Sequence, residues 1–269
     1  MTSIFKMEFF KMMKSKFTWV ILLMVVLGNF IGPLMTSNQD IGGNTPGFSI
    51  VEKVESGPSK ETTNQEKLIQ GLKGNTVLIA AVVFTVLFIS LYHSSDYEKN
   101  ISTVLRQVDK MIFVDLVMIS LFVVILVLLS IASTIAGYMI AGLDISLVLT
   151  HNFIIYLATY ATMLAISSQG FALFMMLMGK RTLALVFSLL YTSGIPFGIV
   201  NRLTEILLKQ ELVVENYLPS GLTFGLKLTE DLAYYGQTLL LGLGWLLLYL
   251  LAKRIYLSKR DIIENSKSV

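Results

Sequence analysis

The sequence predicts an all-α membrane protein with six transmembrane helices and both termini on the cytoplasmic side. Three observations carry this. Six apolar stretches, near Phe17–Thr36, Thr76–Tyr92, Met111–Tyr138, Phe153–Met178, Thr182–Val200 and Tyr234–Ala252, approach or exceed the ~20 residues that cross a hydrocarbon layer. Hydrophobic residues make up 54% of the 269 positions and charged ones 14%, too little charge to clothe a soluble domain of this size. The Lys and Arg residues also gather in alternate connections, as the retention of cations on the cytoplasmic side requires.

The runs are long and continuous, whereas barrel strands would alternate. Backbone polar groups in lipid must be paired within the segment, so the runs are helices. With the N-terminus inside, the cytoplasmic segments hold Lys6, Lys11, Lys14, Lys16, Lys99, Arg106, Lys110, Lys180, Arg181, Lys253, Arg254, Lys259, Arg260 and Lys267, two-thirds of the 21 Lys and Arg. The basic face is thus an orientation signal, and the chain is not read as a nucleic-acid binder. The absence of cysteine removes disulfides, thiolate metal sites and cysteine nucleophiles, and fits a bacterial cytoplasmic-membrane protein.

Residues 1–16 mix Phe5, Phe9, Phe10, Met12 and Met13 with Lys6, Lys11, Lys14 and Lys16. Two readings stand: an amphipathic helix lying in the headgroup layer, or a plain extension of the first span. The first run is long for a signal peptide, and Gly32-Pro33-Leu34-Met35-Thr36 offers no small-x-small cleavage site, so it is expected to be retained. The transmembrane region is taken as 17–252, followed by a cytoplasmic tail, 253–269. Residues 37–75 are polar and punctuated by Gly42-Gly43 and Gly57-Pro58, and are expected to form a partly ordered outer loop.

The segment from His93 to Lys110 holds no glycine or proline and is expected to be a cytoplasmic helix. Ile101, Val104, Leu105 and Val108 recur at spacings of three and four, an apolar stripe that needs a second surface to cover it. Gly179-Lys180-Arg181 makes so short a turn that the fourth and fifth spans must be antiparallel neighbours. Thr192-Ser193-Gly194, followed by Pro196, interrupts the fifth span. Residues 201–233 are more apolar than a solvated loop, as re-entrant helices before the last span would be.

Catalytic chemistry has little to work with. The two histidines, His93 and His151, have no metal-ligating partner at helical spacing, and no Gly-x-x-x-x-Gly-Lys-Ser/Thr phosphate loop occurs. The chain is therefore read as neither an enzyme nor an ATPase, with no cofactor or metal of its own. The spans are also expected to lack the buried ionisable groups of ion-driven pumps, Asp115 at the start of the third span being the nearest case. Ser167, Ser168 and Gln169 in the fourth span and Thr192 and Ser193 in the fifth are open to two readings: helix-to-helix packing, or lining of a translocation path. Gly236, Gly242 and Gly244 in the last span are read as packing residues.

The run Ser95-Asp96-Tyr97-Glu98-Lys99-Asn100-Ile101-Ser102-Thr103-Val104-Leu105-Arg106-Gln107, between the second and third of six spans, resembles the coupling-helix region of type-2 ATP-binding-cassette (ABC) exporter permeases. It looks most like small bacterial permeases of bacitracin or lantibiotic resistance, or of peptide export. The motif is loose: Asn100-Ile101 stands where a Gly-Thr or Lys-Thr pair is usual, and Asp115 where a lysine is common. The resemblance implies a permease subunit paired with a second copy or a paralogue. It also implies a cytoplasmic ABC ATPase partner that binds ATP and Mg and docks on Asp96, Tyr97, Glu98, Asn100, Ile101, Val104, Leu105 and Arg106. The expected cargo is a hydrophobic or amphipathic substrate, such as an antimicrobial peptide. The alternatives are a non-transporting membrane sensor or scaffold with a cytoplasmic partner, and an ion-coupled secondary transporter.

Overall fold

The computed structural model describes residues 2–37, 64–93, 108–142, 150–208 and 214–267. Among these the chain is helical without a strand. The helices are α1 (Thr2–Lys14), α2 (Lys16–Ser37), α3 (Asn64–Lys73), α4 (Asn75–His93), α5 (Val108–Ile140), α6 (His151–Met178), α7 (Arg181–Thr192), α8 (Ile195–Leu208), α9 (Pro219–Gly225) and α10 (Leu232–Lys267), with a 3-10 turn at Val214–Tyr217. Five stretches are long and apolar enough to cross a membrane: α2, α3 with α4, α5, α6 and α10. A sixth is reached if α7 and α8 count as one bent span.

Local chemistry sets the helix ends. The Thr150 hydroxyl accepts from the Phe153 N–H at 3.3 Å to cap α6, and Gly179 (φ 63°) closes it, its N–H donating to Met175 O. This is the tight turn expected between the fourth and fifth spans. The fifth span is interrupted where Thr192-Ser193-Gly194 and Pro196 predict. It does not run straight from Thr182 to Val200 but breaks after Thr192, and α8 departs from α7 at 58°. Gly194 takes φ 75°, a conformation that ends a right-handed helix, and Pro196 in the first turn of α8 lacks the N–H that would continue the ladder.

Two boundaries differ from expectation. The end of the outer loop forms the ordered helix α3, whose Leu68, Ile69 and Leu72 are buried in the core. The tail from Lys253 to Lys267 continues α10 without a break. At 1.5 Å per residue α5 and α10 are each about 50 Å long, so both are longer than the hydrocarbon layer is thick.

The core is built around α4, which packs against α2, α5, α6 and α7. Phe84 of α4 stacks on Phe122 of α5 and on Phe88, and tilts against Phe17 of α2. Close approach of α2 and α5 depends on Gly137, where an added Cβ would lie 2.8 Å from the Phe30 carbonyl oxygen. Asn29 Nδ2 donates to Ser130 Oγ across the same seam at 2.7 Å. By contrast α10 is largely uncovered, presenting Leu240, Leu243, Leu247, Leu251 and Ile255 outward. Such a face suits lipid rather than water.

The bundle has two distinct ends. At one, called here the basic end, the first turn of α5 meets α10 through Asp109 and Arg254, with Lys253 next to Arg254 in the chain. At the other, Tyr156, Tyr160, Tyr234 and Tyr235 gather around α3 and α9. There Tyr160 Oη donates to Leu72 O at 2.6 Å, pinning α3 to α6. Tyr235 Oη donates to Lys227 O at 3.1 Å and Tyr234 Oη to Gly225 O at 3.2 Å, tying the chain after α9 to the start of α10. Enrichment of tyrosine at one level is what a membrane interface favours.

Candidate functional site

Near the basic end, two polar side chains from two helices meet inside an otherwise apolar core, with a buried carboxylate of a third helix in their neighbourhood. Lys253 of α10 is fully buried, and its Nζ donates to Oε1 of Gln169 on α6 at 2.6 Å. Asp115 of α5, also buried, is the carboxylate whose charge acts on that ammonium. The Gln169 Nε2 is buried with no hydrogen-bond partner. On the rim of this cluster Arg254 Nε lies 3.1 Å from Asp109 Oδ1, an exposed ion pair joining the first turn of α5 to α10.

The helices are positioned for this by small residues. Gly242 of α10 faces Met163 and Ile166 of α6, and Gly170 of α6 faces the ring of Tyr249, so α6 and α10 approach closely along the turns that lead to Lys253. Gly236 and Gly244 meet nothing within 4 Å. Of the three glycines read as packing residues, Gly242 alone is used that way within the described residues.

A buried ammonium is costly to desolvate and its loss leaves a buried acceptor unpaired, so the Lys253–Gln169 hydrogen bond acts as a latch between α6 and α10. The expectation of spans without buried ionisable groups is therefore corrected. Asp115 and Lys253 both lie within helices long and apolar enough to cross a membrane. The sequence reading counted Lys253 as one of the cytoplasmic cations because it stands beside Arg254 at the end of an apolar run. Its burial depends on where α6 and α10 cross, for which sequence spacing holds no signal. An isolated carboxylate inside the third run was legible in Val114-Asp115-Leu116.

The predicted path residues do not all meet here. Ser167 and Ser168 are buried in α6 and donate to Met163 O and Leu164 O at 2.9 Å, satisfying themselves within their own helix. Thr192 and Ser193, at the break after α7, likewise donate to Leu189 O and Leu190 O. Gln169 is the one drawn into the cluster. The predicted docking residues Asp96, Tyr97, Glu98, Asn100, Ile101, Val104, Leu105 and Arg106 lie outside the described residues. Among the described residues no three His, Asp or Glu side chains stand together as a metal site would require.

Comparison of the chain with protein-family models, with curated proteins and with solved structures finds no match. What stands is a class: an all-helical protein with five to six helices able to cross a membrane.

Proposed function

We propose that this chain is the membrane-spanning permease subunit of an ATP-driven ABC exporter of the bacterial cytoplasmic membrane. It works as a homodimer or pseudo-symmetric heterodimer with two copies of a separate cytoplasmic ATPase, which holds ATP and Mg. Both termini are cytoplasmic, the bent α7–α8 pair counts as the fifth span, and the segment that follows it, with α9, supplies the re-entrant part before the last span. The substrate is a hydrophobic or amphipathic molecule, foremost a peptide, moved from the cytoplasm or inner leaflet.

The observation that carries the reading is the Asp96–Arg106 stretch between the second and third spans, with its resemblance to a coupling helix. The latch lends it mechanical support. The stretch leads into α5 at Val108, α5 is tied to α10 through Asp109–Arg254, and α10 is tied to α6 through Lys253–Gln169. A push on the stretch therefore moves three helices together. Nucleotide closes the ATPase pair because it binds the closed state more tightly, and that difference shifts the permease between inward-open and outward-open forms.

The test is purification of the chain with its bound cytoplasmic partner from native membranes. A copurifying ATPase, lost when Glu98 and Leu105 are altered, is the expected result. Leu105→Asp is expected to uncouple ATP hydrolysis from transport while leaving the helical fold unchanged; transport at the wild-type rate by that variant would refute the docking role. The burial of Asp115 and Lys253 favours a second reading, an ion-coupled secondary transporter, because ionisable groups at membrane depth serve as ion relays. Substrate uptake into vesicles driven by a proton or sodium gradient, with no ATPase present, would establish that reading instead.

A further inference from the structure

We propose that α1 is a recognition surface for anionic phospholipid headgroups, a role that holds whichever energy source drives the chain. The helix divides its residues sharply. Glu8 and Met12 are each 1% exposed, and Met12 belongs to the core with Phe5 packed beside it. On the outer side Lys6, Phe9, Phe10, Met13 and Lys14 are exposed. Their spacings of three and four place them in one stripe, three apolar side chains with a lysine at either end.

The charges are sorted in the same sense. The helix's one carboxylate, Glu8, is turned inward and paired with Lys11 at 3.3 Å, leaving the outward face purely cationic. Lys14 Nζ sits 5.5 Å from the centre of the Phe10 ring, so apolar and cationic groups share one level. A protein surface seeking water would not present Phe10 at 61% exposure between lysines. The headgroup layer accepts both, the rings among acyl chains and the ammonium groups against phosphates.

Two observations direct the stripe to lipid rather than to a protein partner. Trp19 Nε1 donates to Met13 O at 2.8 Å, which satisfies a carbonyl at the end of α1 and fixes its angle to α2. Trp19 is itself 54% exposed, and the uncovered face continues along α2 through Val20, Leu23, Met24 and Leu27. The cationic stripe is thus the rim of an apolar face that needs acyl chains. A Trp at the junction is where a membrane interface places one.

The chain's lack of cysteine makes the test direct. Full-length Phe10→Cys protein, labelled with an environment-sensitive fluorophore, is placed in nanodiscs of phosphatidylcholine alone or with added phosphatidylglycerol. Quenching by brominated lipid is then read in each. The expected result is a blue-shifted, lipid-quenched label with phosphatidylglycerol, weakened by high salt and by neutral lipid. Lys6→Gln with Lys14→Gln should lower the preference for anionic lipid by about fivefold per lysine, and Arg at both positions should restore it. A label equally quenched in both lipids at any salt overturns the proposal, since apolar insertion would then suffice. A label shielded from water yet unquenched by lipid also overturns it. If the glutamine variant fails to fold, the salt and lipid dependence of the Lys-containing labelled protein decides alone.

Discussion

Lys253→Met should destabilise the bundle by about 2–3 kcal/mol, the cost of leaving a buried amide without its charged hydrogen-bond donor. The substitution keeps the length of the side chain, so packing against α6 changes little and the loss is electrostatic. It removes the donor 2.6 Å from Gln169 Oε1, and because Gln169 Nε2 has no partner either, the whole amide becomes an unsatisfied buried group. Pairing Lys253→Met with Gln169→Leu removes donor and acceptor together, and this double variant should lie closer to wild type than the sum of the two single variants. The resulting coupling energy is about 2–3 kcal/mol, within the range of residues that share one network. The assay is unfolding in mixed micelles by added dodecyl sulfate, followed by helical ellipticity and by the fluorescence of the two tryptophans. Losses that simply add, or a Lys253→Met variant as stable as wild type, would refute the latch.

Three other outcomes are expected. Gly137→Val should force α2 and α5 apart, since even its Cβ would lie 2.8 Å from the Phe30 backbone oxygen, and should lower stability by about 1–3 kcal/mol in the same unfolding assay. Tyr160→Phe removes the hydroxyl that donates to Leu72 O and should cost about 1 kcal/mol, with faster hydrogen exchange in α3 than in α6. Asp109→Asn breaks a pair whose members are 70% and 61% exposed, so unfolding should shift by less than about 1 kcal/mol and lose what salt dependence that pair confers. Under the permease reading its effect falls on the coupling of ATP hydrolysis to transport, measured in proteoliposomes with the partner ATPase.

The helices were legible because lipid imposes a length and a composition on anything that crosses it. The runs at Met111–Tyr138 and Phe153–Met178 match α5 and α6 to within a few residues, and the Gly179 turn follows from its sequence alone. The break after Thr192 was visible as Gly194 and Pro196, but its angle was not, because a helix interruption marks a place and leaves the direction to packing. Helix α3 was read as loop since its apolar residues, Leu68, Ile69 and Leu72, are too few to hold a helix without the surface of α5 beneath them.

The candidate site was legible only in pieces. Gln169 stood out as a polar residue inside an apolar run, and Asp115 as a lone carboxylate near the start of another. Lys253 passed for one more cation at a membrane edge. Composition and periodicity determined the membrane class, the number of apolar runs and the cationic amphipathic start, because each is a property of residues close in the chain. Which polar groups share an interior is decided by how helices far apart in the chain cross one another, and only the tertiary structure, by bringing Lys253 against Gln169 across 84 positions, decides that.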